Sequence, residues 1–175
     1  MANILMLPRG DKIAVLIMDP MLATFNDSFR LLDDGSRELL LKLNDAQLFE
    51  KPREVLNSMA AFSCGEYILR SAAMVEKTFG GITTRLWDDP FEWTLPEKLA
   101  DKTRIIQYLD EVDATRKRGF AFFTSDEDLK RQMPAPGKLR SVFEILLETI
   151  AQAEHYQGRA FAVFQMISDE KLPRR

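Results

Sequence analysis

Lys138 to Ser168, KLRSVFEILLETIAQAEHYQGRAFAVFQMIS, is the longest uninterrupted helical pattern in the chain, and it carries the single histidine, His155. On a wheel of about 100° per residue its apolar arc centres on Leu139, Leu146, Ile150, Ala153 and Phe164. Gln152 and Tyr156 lie at the edge of that arc, one turn apart and facing the same way. His155 falls nearly opposite the core, beside Glu148 and Arg159, where a histidine is a solvated residue or a helix contact between subunits. As a metal ligand it would need partners one turn away, but position 151 is Ala and position 159 is Arg.

Three further helices precede this one. From Met21, the residues Leu22, Phe25, Phe29, Leu32, Ser36, Leu39 and Leu43 recur in steps of three and four, the spacing of one helix face. Asn44-Asp45 breaks that pattern. A second helix is predicted from Pro52 to Phe79, with the stripe Val55, Met59, Phe62, Glu66, Leu69, Ala73 and Glu76, ended by Gly80-Gly81. A third is predicted over Asp101–Phe123, with Ile105, Leu109, Val112, Arg116, Phe120 and Phe123 on one face. Ser125 with Asp128 resembles a capping box and predicts a short helix over 126–132, and Met133-Pro-Ala-Pro-Gly137 is a turn-rich break. Residues 82–100 form a long connection holding Trp87, Phe91 and Trp93, which either cap one end of the core, cover a pocket or contact another subunit. No strand-like alternation is apparent. Four long helices joined by loops predict an all-α four-helix bundle over residues 21–168, with an N-terminal arm (1–20) and a charged tail (169–175) that frays.

Composition narrows the function classes. At 175 residues and 46% hydrophobic content the chain can bury one substantial core. The balance of 24 basic against 27 acidic residues, with no basic stripe, argues against nucleic acid as a partner. The longest apolar run, Ile13-Ala-Val-Leu-Ile-Met18, is too short to span a bilayer, and no secretory leader is apparent. With a single cysteine, Cys64, these features point to a soluble cytoplasmic protein. Cys64 has no neighbouring cation or helix N-terminus in this reading, so a catalytic thiolate is not expected. One His and one Cys cannot build a zinc site of imidazoles and thiolates within one chain.

Each long helix carries a polar residue on its apolar stripe: Ser36, Glu66, Arg116 and Gln157. If all four stripes face one core, these residues form a buried polar layer. Glu66 then requires a cationic partner such as Arg116, because an unpaired buried carboxylate costs several kcal/mol. The alternative is that the helices drift in phase and leave some of the four in water.

Four long helices, the last with the core Glu154-His-Tyr-Gln-Gly-Arg159, resemble the DinB-like family of bacterial four-helix bundles, which includes the YfiT-type metalloenzymes. Glu66-Tyr67 and Trp87-Asp-Asp-Pro90 are similar to members of that family. The resemblance covers roughly residues 22–168. It implies a flank pocket with three metal-binding histidines, one in the second helix and two one turn apart in the fourth. Aligned on Gly158, the two fourth-helix positions fall on Gln152 and Tyr156, and the second-helix position falls near Phe62, or on Ala61 at a different register. Every ligand position is therefore substituted, and neither phenylalanine nor a neutral amide is a useful ligand for a divalent ion.

Two functional readings follow. The first is a metal-free small-ligand-binding or assembly protein with no cofactor, its pocket lined by Phe62, Glu66, Gln152 and Tyr156; the resemblance also implies a homodimer paired through helix faces. The second is an enzyme like the thiol-dependent transferases, isomerases or hydrolases of that superfamily. It would hold zinc or nickel through replaced ligands such as Glu66 with Gln152 or His155, or use Tyr156 and Glu66 for acid–base chemistry.

Overall fold

The computed structural model describes residues 19–52, 62–90 and 101–173. Its elements are α1 (Pro20–Lys42), α2 (Asp45–Phe49), α3 (Cys64–Thr84), α4 (Lys102–Phe120), a 3-10 turn (Asp126–Lys130), β1 (Gln132–Ala135), β2 (Lys138–Ser141) and α5 (Val142–Ile167). The long helices α1, α3, α4 and α5 make the bundle. All seven positions of the α1 stripe are buried, from Leu22 to Leu43. At the centre, Phe29 meets Phe79 edge-on at 5.2 Å and Phe79 meets Phe120 at 5.1 Å. Each fully buried aromatic contributes about 1.5–3 kcal/mol by leaving water.

Helix starts are set by side chains that satisfy the free N–H groups of a first turn. Ser63 and Glu66 form a reciprocal capping box on α3, Glu66 Oε2 accepting from Ser63 N at 2.7 Å and Ser63 Oγ accepting from Glu66 N at 3.2 Å. Ser141 and Glu144 do the same for α5, and Asn44 with Gln47 for α2. Three of the predicted boundaries change as a result. The second helix begins at Cys64, because Ser63 caps it there; Pro52 is not helical, and Val55, Met59 and Ala61 lie outside the described residues. The last helix begins at Val142, because Ser141 caps it, and Lys138–Ser141 is instead paired antiparallel with Gln132–Ala135. Leu139, expected at the centre of the apolar arc, is therefore an exposed strand residue. The hairpin turns at Pro136-Gly137, where Gly137 takes φ +84°, a conformation that favours glycine. In the third change, Gly80-Gly81 does not end α3; the helix runs on to Thr84 and closes with Arg85 in the left-handed region.

The N-terminus of α1 is capped from a distant part of the chain. Asp19 makes no side-chain cap of its own, and the carboxylate of Asp126 accepts instead from the backbone N–H groups of Met21 (3.1 Å) and Leu22 (2.9 Å). Asp126 N–H in turn donates to Asp19 Oδ2 at 3.0 Å. The tail also departs from expectation: Leu172 packs on the core, and Glu170 lies 3.5 Å from the Lys42 ammonium. Residues 1–18 of the arm, with Phe91 and Trp93 of the aromatic connection, lie outside the described residues.

Two substitutions test these assignments by chemical denaturation. Asp126→Ala is expected to cost about 1 kcal/mol, as loss of a helix cap does. Gly158 sits inside α5 with nothing within 4 Å of an added Cβ, so Gly158→Ala is expected to stabilise by about 0.5–1 kcal/mol.

Candidate functional site

The two helices that matter for a site, α3 and α5, pack antiparallel along a seam of small residues. Cys64 Sγ–H donates to Ala160 O (3.5 Å), Ser71 Oγ–H donates to Ala153 O (2.9 Å), and the Thr78 and Thr149 hydroxyls meet at 2.7 Å. Thr149 spends its hydrogen on Ile145 O at 2.7 Å, so Thr78 is the donor in the pair. Ala153 and Ala160 are buried at these contacts and let the backbones approach.

Where the seam reaches Thr78 and Thr149, the hairpin and Trp87 fold over it and leave a polar pocket of about 240 Å³. Drug-sized ligands occupy pockets of about 300–1,000 Å³, so this one suits a smaller molecule. One wall is Trp87, whose indole N–H donates to Pro134 O at 3.2 Å. Gly81 makes room for it: a Cβ there would come within 2.3 Å of the indole. The lining also carries Lys77, Arg140, Glu148 and Gln152. Glu148 accepts from Gln152 Nε2 at 3.1 Å and pairs with Arg140 through its other oxygen. Lys77 lies 3.8 Å from Asp89, which is outside the pocket lining.

Only one of the four predicted pocket residues, Gln152, lines this pocket. Phe62 precedes α3 and lies beneath the Arg70 guanidinium, 3.8 Å from ring centroid to carbon, with Tyr67 edge-on at 5.5 Å. The bonds from Cys64 to Ala160 and from Ser71 to Ala153 set the level of α3 opposite the Gln152–Tyr156 turn. That level is the region of Arg70 and Ser71, not Phe62. Glu66 is consumed by the Ser63 cap, with Lys51 at 3.9 Å, and makes no hydrogen bond to Tyr156. Tyr156 is half-buried against the core, edge-on to the exposed His155 at 5.7 Å. Among the described residues no three His, Cys, Asp or Glu side chains gather as a metal site.

The predicted polar layer divides in two. Gln157 Nε2 donates to Ser36 Oγ (2.9 Å) and to Leu32 O, tying α5 to α1. Arg116 is buried separately, bonded to Asn26 and to Asp113 Oδ1 at 2.6 Å, and Glu66 is not its partner. Glu66 is absent from the layer because helix capping holds its carboxylate at the end of α3, half-exposed. Beside Arg116 a gap of about 20 Å³, lined by Asp33, Ser36 and Ser71, has room for one water molecule. Burial pushes the Asp33 carboxyl up by more than the Arg37 hydrogen bond draws it down. Burial also pushes Asp113 up, but hydrogen bonds from Lys117 and Arg116 outweigh it and hold that carboxyl below the usual range.

Two buried titratable groups stand apart from the sequence reading: Tyr108, which it did not single out, and Cys64, which it placed away from any helix N-terminus. The fully buried Tyr108 donates its hydroxyl to Glu76, and burial followed by the Glu76 charge pushes that phenol well up. The signal was Glu76 on the mainly apolar stripe of its helix, where a buried carboxylate demands a donor on a facing helix. Cys64, contrary to expectation, does sit in the first turn of a helix, where a thiolate is favoured. Burial dominates and pushes its thiol up to about 12.

No protein-family model matches the sequence, and no curated protein matches it. Among solved structures, the chain is similar to a DinB-like protein, YjoA, from Bacillus subtilis, with a TM-score of 0.64 over 86% of this chain and 96% of that one. The fold is DinB-like. At 18% identity the likeness concerns the DinB-like fold alone. No helix among the described residues is long and apolar enough to cross a membrane.

Two outcomes are expected of this geometry. Gly81→Ala drives a methyl into the indole and displaces Trp87, read as a shift of the Trp87 indole N–H resonance. The second concerns pH. A thiol with an ordinary value of 9.0 and a folded value of about 12 keeps its proton longer in the folded state. Stability is therefore full below pH 9 and falls as pH rises from about 9 toward about 12. Cys64→Ala removes the part of that fall beginning near 9, leaving the part due to Tyr108, as urea denaturation across pH 7–11 would report.

Proposed function

We propose that this chain is a small-ligand-binding protein built on the DinB-like fold and that it works without a histidine-held metal. The observation that carries the reading is the side-chain set on α5 and its surroundings, at the positions where the resemblance implies metal ligands. Gln152 offers a neutral amide already bonded to Glu148, and Glu148 is neutralised by Arg140. Lys77 adds a second cation to the same pocket. A divalent ion seeks thiolate, imidazole or free carboxylate donors and is repelled by neighbouring cations. The sole imidazole, His155, is exposed, and among the described residues no three His, Cys, Asp or Glu side chains gather. The pocket instead offers hydrogen-bond donors, a positive charge and an aromatic wall, which suit an organic ligand. The test is elemental analysis of untagged protein, followed by thermal unfolding with and without added zinc or nickel. Substoichiometric metal and an unchanged midpoint are expected; one bound zinc or nickel per chain would overturn the metal-free reading.

A homodimer is supported by one surface. Met21, Phe143 and Leu147 are exposed (45%, 38% and 52%) and line one apolar groove between α1 and α5 with Phe25 and Ile150. Among the described residues no charged side chain lines this groove, so a second copy burying the same face meets no desolvated charge from them. Light scattering after size exclusion is expected to give a dimer that Leu147→Glu converts to a folded monomer; a monomeric wild-type chain would refute it.

A further inference from the structure

Resting on the reading of the Trp87 pocket as a ligand site, we propose that its ligand is a small organic monocarboxylate with a compact apolar body. The charges lining the pocket do not cancel. Among the described lining residues Arg140 and Lys77 are cationic and Glu148 is the one carboxylate, which leaves one net positive charge on them. Both Glu148 oxygens are already occupied, one by Arg140 and one by the Gln152 amide. Lys77 has Asp89 as its nearest carboxylate, at 3.8 Å, outside hydrogen-bond range and outside the pocket.

The donors are also in surplus. Arg140 spends one terminal nitrogen on Glu148 while the other reaches only the Glu144 carbonyl, at 3.5 Å. Its Nε has no hydrogen-bond partner. The floor hydroxyls bond to each other and to Ile145 O, so they donate nothing further. An incoming group that brings only acceptors and a single negative charge answers this arrangement, and a carboxylate is that group. An ammonium or a neutral amide would bring donors to a site already rich in them.

The remaining walls define the rest of the ligand. Trp87, Met74, Ile145, Ala135 and Pro136 supply the apolar part of the lining. The Trp87 indole is fixed by its bond to Pro134 O and by its contact over Gly81, so the ring presents a preorganised face. A volume of about 240 Å³ admits one ring or a short branched chain beside the carboxylate.

The experiment uses the full chain labelled with 15N at the indole nitrogens, Trp87→Phe assigning the relevant resonance. Phenylacetate, phenylacetamide and phenethylamine are titrated separately at neutral pH. Phenylacetate is expected to shift the Trp87 indole N–H in a saturable manner, at least about tenfold more tightly than the amide or the amine. Lys77→Gln, a half-exposed surface change, is expected to weaken phenylacetate binding with the fold intact, and Arg140→Gln to do the same. Equal binding of the amide or amine at Trp87 would overturn the carboxylate assignment while leaving the pocket as a ligand site. Phenylacetate binding that Lys77→Gln leaves untouched, or no response to any of the three, would overturn it as well. An unbiased ligand-observed fragment screen then separates the two readings, since hits that move Trp87 keep the binding function and a silent pocket removes it.

Discussion

The antiparallel seam between α3 and α5 is the constraint on which the rest of the molecule depends. Small residues bring the two backbones close, and three polar side chains, Cys64, Ser71 and Thr78, bond across the gap to the facing helix. A hydroxyl bonded to a buried carbonyl fixes register more sharply than apolar contact does, because a slip leaves a donor unsatisfied at about 1–3 kcal/mol. With register fixed, Thr149 stands opposite Thr78, and the pocket has its floor. Gln157 extends the same logic to α1 by reaching Ser36 and the Leu32 carbonyl.

Charge placement around this frame separates structure from chemistry. Arg116 with Asp113 and Asn26, and Tyr108 with Glu76, are buried polar groups whose partners consume them, and they hold helices together. The Trp87 pocket differs because its donors outnumber its acceptors. At this pocket Arg140 Nε has no hydrogen-bond partner and Lys77 reaches only Asp89, at 3.8 Å, so donors are left over beside a space that a ligand can enter.

The two Ser-x-x-Glu motifs show how much of the fold was legible locally. Ser63-Cys-Gly-Glu66 and Ser141-Val-Phe-Glu144 each announce a helix start, yet the apolar period running through them suggests longer helices. Capping prevails because a first turn has N–H groups that need acceptors, whereas apolar spacing continues unbroken into a strand or loop. Glu66 illustrates the consequence: its place on the stripe suggests a buried charge, while its distance of three from Ser63 makes it a cap. Gly81 is the reverse case, a glycine that reads as a helix stop but serves the approach of Trp87.

By itself the sequence determined the four helices, the stripes of α1 and α4 and the DinB-like resemblance. These follow from periodicity and residue identity, which are local properties of the chain. Tertiary structure alone decided that Asp126 caps α1 from more than a hundred residues away, that Tyr108 finds Glu76, and that Lys77, Trp87, Arg140 and Gln152 meet at one pocket. Those residues lie on α3, the segment after it, the hairpin and α5. Only the packing of α3 against α5, with the hairpin folded over the seam, brings them together.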